Sequence, residues 1–205
     1  MKNKLSWIAD CKKQEFETII REYGYFIHRF TQFIALLIGH TGDEKVRSLL
    51  LPNLVDEVGN DTDDPSHVFL YQRFAKDCGV TLQWEGISST SKAVEEWFYQ
   101  TFNSEDTLRA LCALGPGTEE ISHWFLGPME EATIKHFPTA NLAYFDVHRA
   151  AVEENHINDI RSGISVLKNR DSDQSIFEEK VQRFSHEAIQ QHLLFWENLH
   201  QGFLK

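Results

Sequence analysis

Three stretches of the sequence bring carboxylates and imidazoles together at spacings that could hold a transition metal. The first is Asp56-Glu57-Val58-Gly59, followed by Pro65-Ser66-His67. The second is Gly117-Thr118-Glu119-Glu120, and the third is His148 with Glu153 and His156 behind it. Glu153 and His156 form an ExxH pair, and a step of three residues sets both groups on one face of a helix. Helical bundles use that arrangement to build carboxylate-bridged di-metal sites. Carboxylate oxygen and imidazole nitrogen suit Fe(II), Mn(II) or Zn(II), while the lack of cysteine in these stretches argues against a structural zinc site. Each stretch also has an ordinary role. An ExxH pair arises often by chance, and Glu119 and Glu120 would stabilise a helix N-terminus as first-turn acids. The acidic run from Asp56 to Asp64 lacks the alternating ligands, central glycine and terminal glutamate of a calcium loop, so by itself it is a solvated turn.

The elements that must position these residues are helices. From Phe16 to Ile38, apolar residues recur at steps of three and four, which predicts one helix with a wide buried face. Gly39-His40-Thr41-Gly42 should close it, with glycine in the left-handed C-terminal position. A second helix is expected from about Asp43 to Val58, with a kink or restart at Pro52. After the polar turn Gly59 to Ser66 come a helix from His67 to Asp77, ended by Cys78-Gly79, and a loop from Glu85 to Lys92. Ala93 to Phe102 is again helical, and Ser104 is expected to cap a helix that meets Gly115-Pro116-Gly117. Thr118 to about His136 and Thr139 to about Lys168 each read as a single helix, the latter carrying His148, Glu153 and His156. The turn Asn169 to Asp173 leads into a last helix, Ser175 to Phe203. No segment shows strand alternation. The expectation is an all-α bundle of about seven helices in a single domain, residues 1–205.

Composition narrows the function. The 205 residues are 41% hydrophobic, with 15 Phe and 5 Trp, enough to fill one sizeable core. A net charge of −11 repels phosphate, and the basic residues do not cluster, which argues against nucleic acid and anionic membrane as partners. The charged N-terminal stretch has no apolar signal core, and the longest apolar run, Phe33 to Ile38, is too short for a bilayer. Cys11, Cys78 and Cys112 are odd in number and contain no CxxC, as expected of reduced thiols in a cytoplasmic protein.

Taken in order, these pieces resemble the haem-oxygenase-like superfamily. The likeness is to its non-haem iron branch of di-metal oxidases and chlamydial death-domain-associated proteins, related to the thiaminase-like (TenA) and quinone-cofactor-biosynthesis (PqqC) groups. It is carried by Leu51 to Gly79 (LPNLVDEVGNDTDDPSHVFLYQRFAKDCG), by GTEE, and by YFDVHRAAVEENH, within a span from Phe16 to Phe203. The resemblance implies Glu57 and His67 as metal ligands from the first stretch. It implies Glu119 from the second, with Glu120 as a competitor, and His148, Glu153 and His156 from the third. Iron, as one ion or two, would be the cofactor, and a small organic molecule and O₂ the substrates. A homodimer is the implied assembly. The chain departs from the family pattern at Val152 and Asn155, which stand where a carboxylate and a histidine are expected; Glu153 and His156 each come one residue late. A π-bulge could absorb the extra residue. On a regular helix, Glu153 would point roughly 140° away from His148. The departure bears on the second iron more than on the first.

The remaining histidines, His28, His40, His136, His186, His192 and His200, read as surface or core-edge side chains. His28 is a thin candidate for a haem ligand, and His123, four residues after Glu119, could stand behind it. The sequence therefore points to an iron-dependent oxidase or oxygenase. The alternative is a metal-free interaction or scaffold protein that kept the fold and lost the site.

Overall fold

Side-chain caps set the starts of five helices. The computed structural model describes residues 5–59, 65–148 and 151–204, with the side chains of 151–154 excepted. Its helices are α1 (Trp7–Asp10), α2 (Lys13–Ile27), α3 (Phe30–His40), α4 (Glu44–Val58), α5 (His67–Asp77), α6 (Ser89–Phe102) and α7 (Thr107–Leu114). After a 3-10 turn, Glu119–Ile121, come α8 (His123–His136), α9 (Ala143–Val147), α10 (Ala151–Lys168) and α11 (Gln174–Phe203). Asp43, Ser66, Ser88, Asp106 and Asp173 each accept backbone N–H bonds at the starts of α4, α5, α6, α7 and α11. There is no strand among the described residues, only an isolated bridge between Gly59 and Pro65 that draws the end of α4 to the start of α5. The architecture is the expected all-α bundle, packed around one aromatic-rich core.

Several boundaries differ from the periodicity. The expected helix from Phe16 to Ile38 is two, broken at His28–Arg29, where the Arg29 guanidinium turns to the buried Glu95 carboxylate on α6. Gly39 lies inside α3; the left-handed glycines are Gly59, Gly79 and Gly86. Pro52 sits within an uninterrupted α4. Capped by Ser88, α6 starts at Ser89, four residues ahead of Ala93, and Asp106, not Ser104, caps α7. The stretch from Thr139 to Lys168 is not one helix. The His148 ring takes the Tyr144 carbonyl at 2.6 Å, the acceptor that a continuing helix would need, and α9 stops at Val147.

Three contacts fix the elements around the later site. Helix α10 packs antiparallel on α4, with Gly163 against Val46 at one end and His156 against Asp56 at the other. Helix α5 docks on α2 through the Tyr71 hydroxyl, which donates to the Ile20 carbonyl at 2.7 Å. Gly24 makes room for that ring, since a Cβ there would lie 2.9 Å from Tyr71 Cε1. The turn after α7 is held on the α7 carbonyls: the Gly117 N–H donates to Cys112 O at 2.9 Å and the Thr118 hydroxyl to Ala113 O at 2.8 Å.

Gly117 is the tightest point of that turn. A Cβ on it would stand 2.4 Å from Ala188 Cβ on α11 and 2.8 Å from the Ala113 carbonyl, so backbone would have to move. Gly117→Ala should lower stability by about 1–3 kcal/mol. Urea unfolding of the variant checks this, and an unchanged midpoint would show that the turn can shift without cost.

Candidate metal centre

Glu57 occupies the last turn of α4 and His67 the first position of α5, and both face one interior point. Both are buried, and His67 Nδ1 lies 3.0 Å from Glu57 Oε2. Glu119 enters from the 3-10 turn and is buried. Its neighbour Glu120 faces outward, where its Oε1 accepts from Arg161 Nε at 3.0 Å. The 3-10 geometry separates the two acids, which the sequence had left as competitors.

His148 follows α9 directly, and His156 is buried in the second turn of α10. The rings of His67 and His148 are 4.7 Å apart. Because α9 and α10 are separate helices, the register arithmetic that assumed one helix through His148, Glu153 and His156 does not apply. The side chain of Glu153 lies outside the described residues, as do residues 60–64 of the acidic loop.

The donor atoms form two overlapping groups. In one, Glu57, His67 and His148 each offer a ligand atom within 4.8 Å of the others; in the second, Glu57, Glu119 and His156 do the same. Glu57 belongs to both. Two buried carboxylates and three imidazoles in this proximity fit a divalent cation bound by oxygen and nitrogen, which offsets the charge repulsion that burial would otherwise intensify. His148 is suited to such binding. Burial and then the nearby His67 ring push its imidazole down to about 4, so the ring is neutral at pH 7. The Tyr144 carbonyl can only accept, so His148 Nδ1 carries the proton and Nε2 keeps its lone pair.

Asp56 was not singled out in the sequence as a partner. Its Oδ2 lies 3.0 Å from His156 Nε2, and the carboxylate is half exposed, so it anchors that imidazole from the surface side. The only signal for it was adjacency to Glu57. His123, by contrast, is exposed at the start of α8 and does not stand behind Glu119. His28 stacks on Trp84, with ring centroids 4.5 Å apart, and is not among the residues lining the pocket of the centre.

That pocket is a narrow cavity of about 30 Å³, framed by Tyr23, Phe26, Ile27 and Phe30 on one side and Phe125, Leu126 and Tyr144 on the other. A single water needs roughly 10–15 Å³ by that measure, so the slot as it stands fits about two small molecules. No lysine or arginine is among its described lining residues.

His192 is the other correction. It is fully enclosed in α11, packed on Phe26, Phe98 and Phe125. Its Nε2 is 3.1 Å from Thr118 Oγ1, and because that hydroxyl already donates to Ala113 O, the imidazole is the donor. Helix α11 thereby braces the residue next to Glu119. Burial pushes the His192 imidazole from 6.5 down to about 3. The unfolded chain therefore takes up a proton near pH 6.5 that the folded chain refuses until about pH 3. Stability should fall as pH drops through that window, by at most about 1.4 kcal/mol per pH unit from this group. Urea midpoints at pH 7, 6 and 5 test it, and His192→Gln should flatten the slope; an equal slope in the variant would assign the effect elsewhere.

Comparison with known proteins places the chain. A CADD-like protein of unknown function from Nostoc punctiforme superposes with a TM-score of 0.76 at 17% identity, covering 95% of this chain and 85% of that one. A TenA homologue from Pseudomonas syringae gives 0.75 at 16% identity, covering 96% and 84%. A TenA homologue from Pyrococcus furiosus gives 0.70 at 15% identity, covering 92% and 85%. At such identities these likenesses concern the fold. No curated protein matches the sequence. Residues 18–186, more than four fifths of the chain, match the sequence model described as iron-containing redox enzyme. The chain belongs to the iron-containing redox enzyme family.

Proposed function

We propose that the protein is an iron-dependent oxidase or oxygenase acting on a small organic substrate with O₂. The observation that carries this reading is the pair of donor groups that share Glu57 at the head of an apolar slot. Iron held there would supply the one-electron redox chemistry that reaction with O₂ requires.

The residues do the rest. Glu57 and Glu119 bring two carboxyl groups into the interior, His67 and His148 complete one group, and His156 completes the other. Asp56 keeps the His156 ring oriented. Tyr23, Phe26, Phe30 and Phe125 exclude water and would hold the carbon skeleton of the substrate; a molecule larger than O₂ or water has to displace some of them. Tyr144, fully buried against His148, has its phenol pushed well above its usual range by that burial and stays protonated. Thiol chemistry is disfavoured, because burial pushes Cys11 up to about 11 and Cys78 and Cys112 to about 12. Such thiols are not nucleophiles at pH 7.

The test is anaerobic loading with Fe(II), followed by metal analysis and measurement of O₂ uptake. Wild type should retain about two ions per chain, His67→Ala about one, and Glu57→Ala close to none, because Glu57 serves both groups. O₂ uptake should follow the iron content. Wild type that retains no iron would sink the oxidase reading and leave a scaffold protein. Equal retention by Glu57→Ala would show that the shared carboxylate is not a ligand.

A further inference from the structure

The inward stripe of α4 reads Val46, Leu50, Asn53, Glu57. Three of these suit their surroundings, and Asn53 does not. It is 0% exposed, and neither its Nδ2 nor its Oδ1 finds a hydrogen-bond partner among the described residues. A buried amide without partners is costly, and native interiors keep few of them without a reason. A leucine would continue the stripe at less cost.

The register with α10 shows where the amide sits. Val46 meets Gly163 and Asp56 meets His156, so the helices run antiparallel and Asn53 falls between the rows of Ile160 and His156. On one side of it lie Leu50 and Ile160, both fully buried and apolar. On the other lie Glu57 and His156. Along this register the polar neighbours of the amide among the described residues lie toward the metal centre. Glu57 is one helical turn on along the same buried stripe, and helical side chains lean toward the N-terminus, which puts its carboxylate on the Asn53 side.

We propose that Asn53 is a positioning residue of the centre: its amide N–H, without a partner in this structure, would take up the Glu57 carboxylate that both donor groups share when a cation is bound. This rests on the metal reading above. A carboxylate that serves cations still has lone pairs to satisfy, and an amide four residues earlier is a suitable donor for one of them. Fixing the shared carboxylate would govern both groups at once, and it gives the polar residue a role that packing does not.

The experiment compares metal-free thermal melts and Co(II) titrations, followed by visible absorption, for wild type, Asn53→Leu and Asn53→Ser. Asn53→Leu should melt about 2–8 °C higher than wild type without metal, because an unpaired amide is removed. It should also bind Co(II) roughly 10–100-fold more weakly. Asn53→Ser, which keeps a donor, should recover part of the affinity. A gain in one property with a loss in the other is what a purely structural residue would not give. Unchanged Co(II) affinity in Asn53→Leu would overturn the inference, as would a lower metal-free melt, which would make Asn53 a structural residue. Wild type that takes up no Co(II) would overturn the metal reading itself and this inference with it.

Discussion

Glu57 and Glu119 share a space from which water is largely excluded, and the surrounding structure is arranged around that burial. Two carboxylates within ligand distance of a common point repel each other more strongly in the interior than at the surface. The fold keeps them there by placing each at the end of an element and anchoring its backbone from elsewhere. The Gly59–Pro65 bridge ties the end of α4 to the start of α5. The α7 carbonyls hold the turn that carries Glu119, and His192 on α11 holds the Thr118 hydroxyl beside it. Short segments between long helices can aim a side chain at an interior point in a way that a straight helix face cannot, and every donor but His156 lies within a turn of a helix end.

The aromatic packing serves the same arrangement. Tyr23 touches Tyr71, Phe125 and Trp196, with centroids 5.5–5.8 Å apart, so one side chain of α2 links α5, α8 and α11. Tyr71 in turn meets Tyr144 at 4.8 Å, and Tyr144 meets His148 at 4.5 Å. Rigid rings at these distances leave little freedom for the imidazole they support.

Much of this was legible in the residues, and the failures have physical causes. Periodicity located the helical segments because a one-sided apolar stripe is a local property. It ran through His28–Arg29 because the break depends on Glu95, 66 residues away, which no local pattern reports. It ran through His148 for a related reason: a side chain competing for the Tyr144 carbonyl looks, in sequence, like any other residue of a helix. The spacing of Glu57 and His67 could be read because their turn is short. The choice between Glu119 and Glu120 could not, since it depends on a 3-10 turn and on Arg161 drawing the second acid outward. His192 was taken for a surface or core-edge residue because no acidic residue stands at metal-ligand spacing from it; its partner is a threonine 74 residues earlier.

The separation of the donors along the chain has a kinetic consequence. Asp56 and His156, which touch, are 100 residues apart, and the groups they border draw on α4, α5, the 3-10 turn, the end of α9 and α10. Contacts of this range cost loop-closure entropy before they give anything back, so the donor constellation can form only after most of the bundle has assembled. An extended or half-folded chain offers a cation no more than adjacent pairs of ligands. The centre is therefore a feature of the completed fold and not a template for it, and a nascent chain has to reach its native topology by helix packing alone.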